Sequence, residues 1–136
     1  MSLTLQFETT LMLGLAAILS MIIGLDRESR QSPAGLRTHM LVGLGACIFT
    51  VLSFHAFPGS ETARVAAQVV TGVGFLGAGT ILQRKGDVHH LTTAASIWAT
   101  AAVGMAVGAG AWFLAMTSTL IIWVVLRIIR KFESEK

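Results

Sequence analysis

Long uncharged segments are the feature that most constrains the fold of this chain. Charged residues divide it into four extended uncharged runs, which cover positions 9–25, 38–60, 65–83 and 88–126. A helix needs about 17–25 mainly apolar residues to cross the hydrocarbon core of a bilayer. Each of the first three runs therefore predicts one membrane-spanning helix, and the fourth is long enough for two.

The fourth run is expected to break at Gly108-Ala109-Gly110, because glycine favours the end of a helix. The sequence thus predicts an all-α integral membrane protein, a bundle of five transmembrane helices that forms a single domain over residues 1–136. Only 12% of the residues are charged, against about 25% in soluble domains. The expected helices lie near 9–25, 38–57, 65–82, 92–108 and 112–129.

The basic residues are sorted between the two sides of the predicted bundle. With five spans, Arg64 lies alone on one side. Nine basic residues lie on the other side: Arg27, Arg30, Arg37, Arg84, Lys85, Arg127, Arg130, Lys131 and Lys136. Cytoplasmic loops carry an excess of Lys and Arg. This bias predicts an N-terminus outside the cell and a C-terminus in the cytoplasm.

A charged segment at residues 24–38 separates the first two predicted helices. It contains two acids and three arginines: Asp26, Glu28, Arg27, Arg30 and Arg37. Ionisable groups close to the hydrocarbon are costly and are usually kept for a partner, an ion or a pathway. Mg²⁺ is commonly held by one or two carboxylates and several waters, so Asp26 and Glu28 are the candidate metal ligands. The alternative is that Asp26 pairs with one of the three arginines or caps the second helix.

Further polar residues are candidates for a site on the same side. Arg27 and Arg37 belong to it by position, and Arg37 is expected in the first turn of the second helix, where a cation is unfavourable. We therefore expect Arg37 to have a carboxylate or phosphate partner, or to extend its side chain to lipid headgroups. Four further polar side chains are predicted either to line a path into the bundle or to cap helices and form interhelical hydrogen bonds. They are Gln68, Thr92, Thr93 and Ser96.

Small residues indicate where helices approach each other closely. Helices in lipid associate largely through such close backbone contact. In the fourth helix, small residues recur every four positions and end in Gly104 and Gly108, and the third helix carries glycines on two faces. The predicted packing glycines are Gly72, Gly74, Gly77, Gly79, Gly104 and Gly108.

Enzymatic and nucleic-acid functions find no support in the motifs. The segment 72–79 is rich in glycine but lacks the Lys-Ser/Thr of a phosphate-binding loop. His89 and His90 are adjacent, so their side chains diverge, and no Cys or carboxylate stands at zinc-like spacing beyond Asp87. We expect no catalytic residue, no nucleic-acid partner and no cofactor, with Mg²⁺ as the candidate ion.

Four long motifs resemble the membrane domain of the MgtC/SapB family. They are GLDRES, SPAGLRTHMLVGLGA, RVAAQVVTGVGFLGAGTIL and LTTAASIWATAAVGMAVGAG, and together they cover about residues 24–110. The resemblance implies a multi-pass protein of the bacterial inner (plasma) membrane that is linked to magnesium homeostasis. Family members of the virulence-factor type carry a soluble C-terminal domain, which this chain is expected to lack.

Two functions follow from the resemblance, and the residues leave both open. The first is Mg²⁺ transport or another form of ion handling, with Asp26 and Glu28 at the cytoplasmic mouth. The second is a regulator that does not transport and that binds another membrane protein, such as the F-type ATP synthase. Five short helices form a thin bundle for enclosing a pathway, so transport favours a homo-oligomer, with a dimer as the expected form.

Overall fold

Five helices and one short hairpin make up the computed structural model, which describes residues 1–59 and 61–134. The helices are α1 (Leu3–Ser29), α2 (Leu36–His55), α3 (Arg64–Ala78), α4 (Leu91–Gly108) and α5 (Trp112–Glu133). Within α5, the segment Val125–Ile129 is a π-helical turn. Strands β1 (Leu82–Arg84) and β2 (Asp87–His89) form an antiparallel hairpin between α3 and α4.

The predicted class of fold, an all-α membrane bundle, is confirmed. Four helices, α1, α2, α4 and α5, are long and apolar enough to cross a membrane. The third, α3, has only 15 residues, which at 1.5 Å per residue span about 22 Å, less than the roughly 30 Å of hydrocarbon. The bundle therefore has four full-length spans and one short helix.

Four predicted boundaries were wrong. Helix α1 begins at Leu3 instead of near residue 9, and α5 continues to Glu133, beyond the expected end at 129. The first helix was expected to end at residue 25, but α1 continues to Ser29, because backbone hydrogen bonding extends through charged residues as readily as through apolar ones. The third helix was expected to reach residue 82, but α3 ends at Ala78. The chain then turns at Lys85 and Gly86, whose positive φ angles of 50° and 87° suit a two-residue hairpin turn.

Helix α4 occupies the centre of the bundle and contacts α1, α2, α3 and α5. Its glycine stripe faces α2: a Cβ added at Gly108 would lie 2.7 Å from the carbonyl oxygen of Cys47. A Cβ added at Gly104 would overlap the carbonyl oxygen of Gly43. These two glycines therefore set how closely α2 and α4 approach.

The glycines of α3 have a less crowded setting. A Cβ at Gly77 would lie 3.3 Å from the carbonyl oxygen of Ala94 in α4. Gly79 lies just beyond the helix, near backbone of its own segment. No atom of the described chain lies within 4 Å of a Cβ added at Gly72 or Gly74. Within one chain, α3 is thus packed on one side and open on the other.

Apolar side chains fill the interior in two clusters. One cluster joins α1, α2, α4 and α5 and contains Ala16, Leu19, Ile23, Cys47, Val51, Val103, Val107, Ala115 and Leu126. The other joins α2, α3 and α4 with the loop before α2 and contains Ala34, Val42, Ala46, Val69, Val73, Ile97 and Ala101. The buried charged side chains, Asp26 and Arg27, lie at the end of the bundle where α1 ends and α4 begins.

Candidate functional site

The last turns of α1 carry the only ion pair among the described residues. Nε of Arg30 lies 3.3 Å from both carboxylate oxygens of Asp26. The Asp26 side chain is 1% exposed, whereas that of Arg30 is 22% exposed. The four-residue spacing places both side chains on one face of the helix. Of the three arginines that were candidate partners for Asp26, the structure selects Arg30.

Glu28 joins the end of α1 to the start of α2. Its Oε2 accepts a hydrogen bond from the backbone N–H of Leu36 at 2.8 Å. This carboxylate thus occupies the helix N-terminus, where a negative charge is favourable. Ser32, in the loop before α2, does not cap this helix, because its hydroxyl contacts Thr93 of α4.

Arg27 is a buried cation with hydroxyl partners. The residue is 8% exposed, and its Nη2 lies 3.2 Å from Oγ of Ser32 and 3.3 Å from Oγ1 of Thr93. The two hydroxyls lie 2.8 Å from each other. Nε of Arg27 is buried and has no hydrogen-bond partner in the described chain. Arg27 therefore ties α1 and the following loop to α4 without a neutralising carboxylate at hydrogen-bond distance.

A second polar connection joins α2 to α4. His39 is completely buried, its Nδ1 lies 2.7 Å from the carbonyl oxygen of Gly35, and its Nε2 lies 2.9 Å from Oγ of Ser96. A carbonyl only accepts hydrogen bonds, so Nδ1 carries the proton and Nε2 of a neutral ring accepts from Ser96. Ser96 can instead donate to the carbonyl of Thr93, which lies 2.8 Å away.

The remaining predicted site residues lie apart from these contacts. Arg37 is exposed and forms no ion pair with any described residue. Thr92, predicted as the cap of the fourth helix, is exposed, and α4 begins after His90 without a side-chain cap. Gln68 is exposed and lines an apolar cavity of about 610 Å³ between α2 and α3. Only Thr93 and Ser96, of the four predicted path residues, join the buried contacts.

The structure also brings in polar residues that the sequence reasoning did not assign to the site. These residues are His39 in α2 and Ser32 in the loop before it. A usable signal was present in α2, where His39, Gly43 and Cys47 recur every four residues, as Ser96, Thr100 and Gly104 do in α4. Two such stripes on separate helices favour a direct contact between them.

The two candidate metal ligands lie in different surroundings. Asp26 is buried against Arg30, whereas Glu28 is exposed and bonded to the start of α2. The described residues contain no group of three or more His, Cys, Asp or Glu side chains placed to hold a metal. Metal binding by Asp26 and Glu28 stays a prediction, and any ion there would compete with these contacts.

These observations define the class of protein: a membrane-embedded helical bundle with a buried, arginine-containing polar network at one end. The chain matches the MgtC family over residues 13–135. It therefore belongs to the MgtC family, as the resemblance of its motifs had indicated.

Three curated bacterial relatives illustrate the relationship. "Putative magnesium transporter YhiD" of Escherichia coli (strain K12) is 44% identical over 129 residues, which cover 89% of this chain and 60% of YhiD. Protein SapB of Bacillus subtilis (strain 168) is 40% identical over 138 residues, again covering 89% and 60%. Protein MgtC of Salmonella typhimurium (strain LT2) is 43% identical over 118 residues, covering 87% and 51%.

The matched regions are only part of each relative. The chain spans between about half and three fifths of the length of these curated proteins. No solved structure matches the chain.

Proposed function

We propose that this chain serves magnesium homeostasis in the bacterial inner membrane. Membership of the MgtC family and the name of the relative YhiD support this role. The chain spans only part of the length of its relatives, and the region it shares with them contains the helices that can span a membrane.

Within this role, we propose that the chain acts as a regulator and does not itself conduct Mg²⁺. The observation that carries this proposal is the charge of this end of the bundle, where Asp26 is already paired with Arg30 and the neighbouring Arg27 is buried. A divalent cation entering there would have to displace Arg30 from the carboxylate and approach Arg27. The positive charges of the cation and of Arg27 would then repel each other strongly, because the surroundings have a low dielectric constant.

The middle of the bundle also favours a chain that does not conduct Mg²⁺. Below the polar network, the interior contains Leu19, Ile23, Val103 and Val107, all buried. The hydroxyls of Ser20 and Thr100, also buried here, donate to carbonyls of their own helices. Mg²⁺ gives up its hydration water reluctantly, so a path for it needs a wide polar lining. The described single chain offers close apolar packing at this depth.

Ion handling is retained as the second candidate function. Asp26 and Glu28 favour it, since they are two carboxylates separated by one residue on the side of the bundle rich in basic residues. The name of YhiD favours it as well. Under this alternative, Asp26 would exchange Arg30 for the ion.

Uptake of Mg²⁺ into proteoliposomes that contain only this protein separates the two candidates. We expect no uptake above that of protein-free liposomes, because the single chain presents an apolar, positively charged barrier. A known Mg²⁺ channel reconstituted in parallel is the positive control. Uptake that depends on the protein and disappears in Asp26→Asn would establish ion handling in place of regulation.

The proposed orientation places the arginine-rich end in the cytoplasm. Nine of the ten Lys and Arg residues belong to this side, although Lys136 lies outside the described residues. Single cysteines at Glu61 and Asp87, in a Cys47→Ala background, are expected to react with a membrane-impermeant reagent from opposite sides. Both positions are exposed, so labelling of both from the same side would contradict the five-helix topology.

We also propose that the chain forms a homodimer through the open face of α3. Gln68 and Gly72 line the apolar cavity between α2 and α3, and Gln68 forms no hydrogen bond with the described residues. A glutamine amide both donates and accepts, so Gln68 of two copies can satisfy each other across a two-fold axis. Gly72 leaves room for the second helix.

The dimer is tested by comparing two substitutions on α3. Gln68→Val is expected to raise the dimer dissociation constant by roughly threefold or more, the effect of one interhelical hydrogen bond in a membrane. Thr71→Val is the control, because Thr71 is exposed on α3 but does not line the cavity. Dissociation is measured by energy transfer between labelled copies in lipid. Equal behaviour of both variants, or a wild-type monomer, would rule out this interface.

A further inference from the structure

A polar cavity of about 620 Å³ lies at the arginine-rich end of the bundle. Three parts of the fold surround it: the end of α1 with its following loop, the junction of β2 with α4, and the π-helical turn of α5. Arg27, Arg30 and Arg130 line it, with Glu133 as the carboxylate among the lining residues. The cavity is distinct from the apolar one between α2 and α3.

The charges around this cavity are not balanced. Arg30 is neutralised by Asp26, with which it is paired. The three guanidinium groups of Arg27, Arg30 and Arg130 are therefore matched by only two carboxylates, those of Asp26 and Glu133. Arg27 matters most, because it is more than nine-tenths buried and its Nε has no partner among the described residues. Its nearest carboxylate, Asp26, is shared with Arg30. An incompletely neutralised buried cation is costly, so an anion from outside the chain would relieve that cost.

Backbone groups add to the positive potential. The N-terminus of α4, at Leu91, faces the cavity and lacks a side-chain cap. Its first N–H groups are unsatisfied by the helix itself, and its dipole favours a negative charge. The hydroxyls of Ser32 and Thr93, which hold Arg27, line the same space.

The π-helical turn places α5 against this space. Val125, Leu126 and Ile129, which belong to the turn, line the cavity, and Arg130 follows directly. Such turns occur frequently at functional sites. Because Arg130 is exposed, its side chain can close over a ligand without losing contacts in the core.

From these features together, we propose that the cavity binds a phosphate group. Arginine forks match phosphate oxygens with two parallel hydrogen bonds, and an uncapped helix N-terminus supplies further donors. The group belongs either to the headgroup of an anionic phospholipid or to a free phosphate compound, since the chemistry of the two is the same. Basic pockets between transmembrane helices on the cytoplasmic side are known to take anionic headgroups.

Binding can be measured on the full chain, delipidated in a zwitterionic detergent. One series adds phosphatidylglycerol, with phosphatidylcholine as the neutral lipid, and the other adds inorganic phosphate, with chloride at equal ionic strength. A ligand that binds the folded state raises the midpoint of thermal unfolding with its concentration. We expect either phosphatidylglycerol or phosphate to raise the unfolding midpoint. The series in which the midpoint rises identifies the source of the phosphate group.

Substitutions locate the site. Arg130→Gln is expected to weaken binding on the order of tenfold, the effect of one charge-assisted hydrogen bond. Arg27→Gln, which keeps a donor for Ser32 and Thr93, is expected to weaken it at least as much. Arg127→Gln is the control, because Arg127 lies over the ring of Trp123 and does not line the cavity.

The proposal remains testable even if Arg27→Gln does not fold, since Arg130 is exposed and its substitution leaves the core intact. Equal binding by the Arg130→Gln and Arg127→Gln variants would overturn the proposal. So would the absence of any stabilisation by phosphatidylglycerol and by phosphate in the unsubstituted protein. The proposal does not depend on whether the chain conducts Mg²⁺.

Discussion

Gly104→Ala is expected to destabilise the bundle by about 3 kcal/mol, because overpacking a close helix contact forces the backbones apart. The added methyl group would overlap the carbonyl oxygen of Gly43 and would lie 3.1 Å from Cβ of Ala46. Backbone atoms of a packed helix cannot rotate away as a side chain can. The α2–α4 contact, on which the His39–Ser96 hydrogen bond depends, would have to widen.

Thermal unfolding in detergent, followed by near-ultraviolet circular dichroism, measures this effect. Gly74→Ala is the matched control, since it also replaces a helical glycine, meets no described atom within 4 Å beyond its own stretch of helix, and does not line the cavity of the proposed dimer face. The control is expected to be neutral or slightly stabilising, because alanine has the higher helix propensity by up to about 1 kcal/mol. Similar unfolding midpoints for the two variants would mean that α2 and α4 do not meet at Gly104.

Asp26→Asn is expected to destabilise the protein by about 1–3 kcal/mol. The substitution keeps the size of the side chain but leaves Arg30 without its counter-charge next to the buried Arg27. Removing one member of a fully buried pair costs more, but the Arg30 side chain is 22% exposed and can turn toward water. The expected cost is reduced accordingly.

The double substitution Asp26→Asn with Arg30→Gln is expected to recover most of that stability. Both charges are then absent, and the buried region carries no new unpaired ion. Asp26→Asn with Arg37→Gln is the matched comparison, because Arg37 is exposed and is not paired with Asp26. Recovery in both double variants, or in neither, would contradict the specific pairing of Asp26 with Arg30.

The membrane-spanning helices could be predicted because the uncharged runs reflect a strong physical requirement, the thickness of the bilayer. The ends of α1 and α3 could not, since no such requirement determines them. Charges at residues 26–28 fall where a helix leaves the hydrocarbon, yet hydrogen bonding carries α1 on to Ser29. Only the pairing of β1 with β2 shows why residues 82–89 are not helical.

The candidate site was predictable in its position but not in its contacts. The charged segment indicated Asp26, Glu28 and Arg27, because ionisable groups at that depth need partners. The choice of Arg30 over Arg37 depends on α1 continuing to Ser29, which brings Asp26 and Arg30 onto one face. A prediction that ended the helix at residue 25 had no basis for that choice.

Contacts between distant segments were the least accessible to sequence reasoning. Thr93 was assigned to the polar path, but its contact with Arg27 joins residues 66 positions apart. His39 is buried through its bond to Ser96, 57 positions away. Helical periodicity shows which residues share a face, whereas the identity of the facing helix is determined by packing of the whole bundle.

Growth at low Mg²⁺ tests most directly the central claim that Asp26 acts through Arg30 and not as an ion ligand. The unsubstituted protein, both single variants and the double variant Asp26→Asn with Arg30→Gln are expressed at matched membrane abundance in a strain without its own MgtC-family proteins. We expect impaired growth with Asp26→Asn and restored growth with the double variant. The contradictory result is normal growth with Arg30→Gln and equally impaired growth with Asp26→Asn and with the double variant.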